Sequence, residues 1–354
     1  MALFSKSQPL EIGREYPDSR ENTIVADMIR RTKMQMERLY VNTRTLRQVH
    51  AKMHGCLKAE FIIEKELPEE LRVGLFKEAR SYCAWIRFSN GKSQVLNDKQ
   101  GDTRGMAIKL MGVVGEKLLD GQKNALTQDI VLASSPVFFA KNLAQFNGLL
   151  KASIAKNDKL AVALFFLQPW HWGIAKRTFS KLLIKCKHLF ELSYFSGTPY
   201  QFGDETRAVK YHIQPSATNK LVFTDASDPN FLRKNMVATL AANDASFDFF
   251  IQFQTDADAM PIEDASVAWT SPFIKVATIR IPAQVFDNPT RDLFGDNLTY
   301  NIWHSLPAHR PLGGFNRARK FIYQELYTFR SDRNQVMFEE PEAGENFLYP
   351  ENLK

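Results

Sequence analysis

Little in this sequence is suited to cross-linking, to crossing a bilayer or to gripping a phosphate. Its 354 residues include only three cysteines, Cys56, Cys83 and Cys186, with no CxxC pair and no metal-ligand spacing. So sparse and odd a count excludes a disulfide scaffold and fits a reducing compartment. The first residues, MALFSKSQPLEIGREYPD, hold no continuous apolar stretch, so no secretory signal is expected. The longest apolar runs, such as 160–167, are far too short to span a membrane, and a soluble, cytoplasmic protein is the expectation. The formal charge of +7 points toward anionic partners, yet no run reads as a basic arm, so nucleic acid is not expected as a partner. GxGxxG, Walker-type, HExxH and GxSxG motifs are all missing, which removes most of the common enzyme classes. Phenylalanine, by contrast, is plentiful. The 27 copies imply a generous apolar interior, which is either an ordinary aromatic core or one that surrounds a flat apolar cofactor.

Hydrophobic periodicity divides the chain into strands, helices, strands and a last helix. Apolar residues at three- and four-residue spacing over 24–46 read as a helix with one buried stripe. CLKAEFIIEKEL, SYCAWIRFSN, RGMAIKLMGVV and QDIVLASSPVFF read as strands, the second ending in the turn dipeptide Asn90-Gly91. The stretch over about 140–192 reads as helical, Lys-rich on its polar side, with Trp170 and Trp172 flanking His171. Such a segment either packs on its own domain or lies on a membrane surface. Strands return over about 199–281, a helix covers about 316–329, and the tail after Asp332 is polar and irregular. This order suggests an α+β fold on an antiparallel sheet or barrel, with the helices segregated to one side.

Two places could carry chemistry. Arg319, Tyr323 and Arg330 sit at i, i+4 and i+11, within one stripe of the last helix. A guanidinium one turn from a phenol favours the phenolate, a hard donor suited to ferric iron, and Arg330 could pair with a carboxylate. The ordinary alternative is a set of surface or snorkelling side chains. His50 lies in Arg47-Gln48-Val49-His50-Ala51-Lys52, read as the start of the first strand, where alternation would turn Val49 and Ala51 away from it. It is either a core histidine or a base whose tautomer the Ser89 hydroxyl could fix.

Taken in order, these segments resemble the heme catalases. RQVHAKMHG is similar to the catalase distal segment, WIRFSNG to the VRFS strand, GDTRGMAIKL to the DPRGFAVKF run, and IVLASSPVFF to VGNNTPIFF. AVKYHIQPS resembles the YCKFHYKT strand, and ARKFIYQELYTFR the RxxxY helix. The resemblance covers about 47–330 and implies a catalase-type antiparallel barrel of about eight strands with helices packed on one side. It implies one domain over 1–354: an arm and helix over 1–46, the barrel over 47–330, and a tail over 331–354. Within the barrel region lie a helical insertion at about 140–195 and a proximal helix at about 316–330.

The resemblance also implies a site for heme b. Tyr323 would be the iron ligand, with Arg319 against it and His212 on Arg319; His50, held by Ser89, would be the distal acid–base. Arg47, Arg87 and Arg330 would pair with the propionates, and Val49, Phe138, Phe139 and Phe146 would line the heme. The implied function is a peroxidase that acts on hydrogen peroxide or organic hydroperoxides through an oxoferryl intermediate, with an unknown reductant and weak catalase activity. The alternatives are a fatty-acid hydroperoxide isomerase or lyase of the allene oxide synthase type, and a non-catalytic heme-binding protein. Val49 stands where allene oxide synthases carry Thr, which counts against the first of these.

Two departures thin the pattern. Ala133 replaces the distal Asn, and Gly313 replaces the Asp that supports the proximal Arg, leaving Arg319 to find His309 or a carbonyl. The wrapping region of large catalases is also missing, so a monomer or dimer is expected rather than an interlocked tetramer. Peripheral contact with a membrane or lipid stays open through the Trp-bearing segment.

Overall fold

A computed structural model describes residues 9–155, 158–178, 184–337, 340–344 and 347–348. Nine antiparallel strands are described: β1 (Met53–Ile63), β2 (Ser81–Asn90), β3 (Arg104–Met111), β4 (Thr127–Ala133), β5 (Tyr194–Phe195), β6 (Tyr200–Phe202), β7 (Asp204–Pro215), β8 (Ala245–Phe253) and β9 (Phe273–Ile281). Eight of them form a closed ring in the order β4-β3-β2-β1-β9-β8-β7-β5, and β6 adds to β7 beside β5. The ring is two meanders, β1 to β4 and β7 to β9. They are joined along β1–β9 and closed by the two-residue β5, which pairs Ala133 with Phe195 and Phe195 with His212. The barrel and its α+β class are as the sequence led us to expect.

Alternation along each strand decides what fills the barrel and what faces out. Ile86 and Phe88, Met106 and Ile108, and Ile130 and Leu132 point inward, where they join Phe61, Phe247, Phe249 and Ile279 in one buried core. The intervening residues form two rows on the outer face. Strand register aligns Arg87 with Ala107 and Val131, and Ser89 with Gly105 and Ala133.

Seven helices are described: α1 (Glu21–Leu39), α2 (Leu143–Ile154), α3 (Asp158–Leu167), α4 (Trp172–Arg177), α5 (Phe231–Leu240), α6 (Pro289–Asn297) and α7 (Gly314–Asn334). Val25 and Met28 of α1, Leu143 and Leu150 of α2, and Phe315 and Ala318 of α7 share a second core. Helix α5 instead sends Phe231, Leu232, Met236 and Leu240 into the barrel core.

Three boundaries differ from the sequence reading. The first helix ends at Leu39, and residues 40–52 are irregular, with Asn42 and His50 in the left-handed region. The first strand therefore starts at Met53, and His50 is not part of it. Helix α7 continues past 330 to Asn334 and is closed by Gln335 in the left-handed conformation. The tail from 335 has neither helix nor strand among its described residues, although Glu340 and Phe347 are tied to the barrel face. Part of the expected insertion (156–157 and 179–183) lies outside the described residues, as do 1–8 and most of 338–354.

Candidate functional site

A cavity, part of it open to solvent, lies between the outer face of β2–β4 and helix α7. Arg47, Gln48, Val49 and His50 of the irregular segment line it, with Arg87, Ser89, Gly105, Ala107 and Val131 of the barrel face. Helix α7 contributes Ile322, Tyr323, Leu326, Tyr327 and Arg330; Met36 of α1 and Thr299 and Tyr300 complete the wall. The α7 residues follow helical spacing, so one face of that helix serves the cavity. Seven of the residues singled out in the sequence thus meet here: Arg47, Val49, His50, Arg87, Ser89, Tyr323 and Arg330.

His50 is held in the left-handed conformation, φ +59°, by its surroundings. Its backbone N–H donates to the Gly91 carbonyl at 3.1 Å, and its own carbonyl accepts from Arg87 at 3.0 Å. Its Nδ1 lies 3.0 Å from Ser89 Oγ. A Cβ on Gly105 would come within 2.5 Å of that Nδ1, so only glycine at 105 lets the ring lie against the strand here. Because 47–52 is a loop and not a strand, Val49 and His50 both reach the cavity, contrary to the expected alternation. Burial, followed by the charges of Arg87, Arg47 and Arg319, lowers the His50 pKa to about 4, which keeps the imidazole neutral at neutral pH.

Arg47, Arg87 and Arg330 gather at the C-terminal end of α6. The Asp296 carbonyl accepts from Arg47 at 3.2 Å and from Arg330 at 2.6 Å, and the Leu298 carbonyl accepts from Arg47. A helix C-terminus carries partial negative charge and suits cations. Among the described residues, the acidic partner of Arg47 and Arg87 is Asp296, at 3.9 and 4.0 Å. Burial, then repulsion from Arg47, pushes Arg87 down to about 9; burial and its two neighbours lower Arg330 strongly as well. The Nε of Arg87 is buried with no hydrogen-bond partner among the described residues. Three guanidiniums against one carboxylate, one of them with an orphaned donor, make a site that is short of negative charge.

The remaining sequence candidates sit elsewhere. Phe138, Phe139 and Phe146 are outside the cavity lining. They pack on one another and Phe138 and Phe146 on Phe315, with ring centroids 4.5–6.1 Å apart. His212 does not meet Arg319. Its ring stacks on Phe195 at 4.5 Å and lies against Phe273, and both its nitrogens lack a partner among the described residues. Arg319 donates to Thr198 Oγ1 and Asn316 Oδ1, each at 3.1 Å, and not to His309, whose Nε2 accepts from the Leu75 N–H. A side chain at 313 is barred by φ +86° and by the Ile262 carbonyl 2.7 Å from where its Cβ would be. Arg319 is therefore served by neutral groups where the catalase pattern has a carboxylate.

Sequence reasoning missed Met36, Gln48, Tyr300, Tyr327 and the whole α6 anchor. Asn288-Pro289 was a legible signal for α6, because the Asn288 side chain caps the Arg291 N–H and proline suits the first turn. The Thr299–Tyr300 wall is fixed from behind. The Asn301 N–H donates to Asp129 at 2.8 Å, and Asp129 pairs with the fully buried Lys109 at 2.7 Å.

These residues fit a flat apolar cofactor that carries carboxylates: apolar walls, a phenol oxygen on α7 within the lining, and three guanidiniums. No cluster of three or more His, Cys, Asp or Glu suited to a metal ion occurs among the described residues.

No protein-family model matches the chain, and no curated protein matches it in sequence. Solved catalase structures do match in fold. A fungal catalase aligns with TM-score 0.66 and 16% identity over 93% of this chain and 66% of its own. Catalase A from Saccharomyces cerevisiae gives 0.66 and 17% over 93% of this chain and 68% of its own. A bacterial catalase gives 0.61 and 16% over 95% and 67%. The chain is thus similar to catalases in fold, and it spans about two thirds of their length.

Proposed function

We propose that this chain is a heme b peroxidase that acts on hydrogen peroxide or organic hydroperoxides, with weak catalase activity. The observation that carries the reading is the meeting, in one cavity, of Tyr323, the His50–Ser89 pair and the under-compensated Arg47, Arg87 and Arg330. Tyr323 would hold the iron, and the arginines would hold the propionates as charge-assisted pairs. When bound, heme supplies the redox centre that accepts the oxidising equivalents of the peroxide.

His50 performs the proton work. A hydroperoxide must lose a proton from one oxygen and gain one on the departing oxygen. The Ser89 contact occupies Nδ1 and leaves Nε2 for that exchange. The same burial and cationic neighbours that keep the imidazole neutral make its protonated form a readier proton donor than an ordinary imidazolium. With Ala133 in the row beside Ser89 and Gly105, the donor amide of the catalase pattern is missing. For that reason peroxidase precedes catalase in this reading.

The test is an absorption spectrum of the purified protein with and without added hemin, followed by peroxide plus an electron donor. A Soret band with phenolate-type charge-transfer bands, altered in Tyr323→Phe, and donor oxidation are expected. Failure to take up heme, or a Tyr323→Phe spectrum identical to that of the parent, would overturn the assignment.

A further inference from the structure

Helix α3 has an anomalous surface. Its residues 160–167, LAVALFFL, are apolar on every side, a composition that belongs in a core or in lipid. Yet Phe165 is the one residue of this run that is buried, packing on Gly148 and stacked on the His171 ring at 3.7 Å. On the opposite face Leu160, Leu164 and Leu167, spaced i, i+4, i+7, are 54, 53 and 70% exposed. The chain then turns through 169–171, pinned by His171 Nδ1 on the Phe165 carbonyl at 2.8 Å, and presents Trp170 and Trp172, 71 and 62% exposed. In α4 the apolar Ile174 is fully buried, so this segment is anchored to the protein by one side only.

We infer that α3, the 169–171 turn and α4 form a lipid-docking element that seats the protein on an anionic bilayer surface. Three observations favour lipid over another occupant. The side chains protrude with more than half their area free, which suits insertion into a soft surface better than fitting a rigid groove. Two tryptophans stand at the rim, the residue type that settles at the headgroup level. Residues 158–177 carry three Lys or Arg and a single Asp, a charge that complements anionic headgroups. With ten residues the helix is about 15 Å long, half of a hydrocarbon core, so it lies in the interface and does not cross. No helix among the described residues is long and apolar enough to cross a membrane.

This inference stands apart from the heme reading, and its test needs no cofactor. The full chain is sedimented with vesicles of pure phosphatidylcholine and of phosphatidylcholine with 30–40% phosphatidylglycerol (roughly the anionic content needed for a measurable surface potential). Binding to the anionic vesicles is expected, weaker by an order of magnitude or more in high salt, with tryptophan emission shifted to the blue. The triple variant L167Q/W170Q/W172Q should lose at least tenfold in vesicle affinity while keeping the parent's circular dichroism and melting temperature. Equal binding by the variant, or no binding by the parent, overturns the inference. A dimer that the triple variant dissolves would instead assign the patch to a second copy of the chain, and would overturn it too.

Discussion

At His50 the backbone adopts φ +59°, a region that costs a histidine roughly 1–3 kcal/mol. Strain of that size persists only where neighbours enforce it, and here the Gly91 carbonyl, the Arg87 guanidinium and the Ser89 hydroxyl do so. Under the heme reading, His50→Ala should keep the cofactor but slow the reaction with peroxide by about 10²–10⁴-fold, which stopped-flow absorbance would measure. An unaltered rate would move the proton transfer to another group. Ala133 offers the reverse experiment. It shares its outer-face row with Gly105 and Ser89, so Ala133→Asn should raise oxygen evolution from hydrogen peroxide. If the rate stays flat, the missing amide is not what limits catalase turnover. That Tyr323 and His50 meet in one cavity could be anticipated from ordered motifs, because those motifs fix which residue comes where. Those motifs did not reveal which side chains touch, and so Phe138, Phe139, Phe146, His212 and Arg319 acquired neighbours that no motif announced.

Elements were legible in proportion to how regularly they bury one face. β2 matches its expected span, because an apolar, aromatic-rich run ends at a turn dipeptide. Helices α5 and α6 escaped notice because each is short and lies in a stretch dominated by strand and turn signals. Yet α6 positions Arg47 and Arg330 through its terminal carbonyls and faces Arg87 with the Asp296 carboxylate. The start of α7 shows how a change of residue type can be enforced by the backbone. Gly313 has φ +86° and approaches the Ile262 carbonyl, and its N–H donates to Glu15 at 2.7 Å. Gly313→Asp, the residue of the catalase pattern, should therefore destabilise the protein by about 1–3 kcal/mol through strain and repulsion from Glu15. A lowered urea midpoint would register it, and an unchanged midpoint would show that the segment can relax.

For the molecule as a whole, acid is the telling variable. Burial lowers the pKa of His50, His54, His188, His212 and His309 to about 4 in each case. Unfolded, each would titrate near 6.5, so between pH 6.5 and 4 the unfolded chain binds more protons than the folded one. The stability contributed by neutral histidines is present in full above pH 6.5 and is lost as pH falls toward 4. Thermal melts of the apoprotein should show a midpoint that drops steeply across that window, with up to five protons taken up on unfolding. A flat profile would mean that these imidazoles reach water or partners before the fold opens.

The ring itself carries a further consequence, one of timing. Neighbours within each meander are joined by connections of at most 29 residues, whereas β1 and β9 are 210 residues apart from Ile63 to Phe273. Closing a loop of that length costs about 2 kcal/mol more entropy than closing the β1–β2 hairpin, and no local contact offsets it. The two meanders can thus form as separate nuclei while the β1–β9 seam and the two-residue β5 wait for both. The cavity wall on β2–β4 belongs to the first meander, but α7, which faces it, follows β9, so the cavity is completed only by an element that comes after the whole ring in the chain.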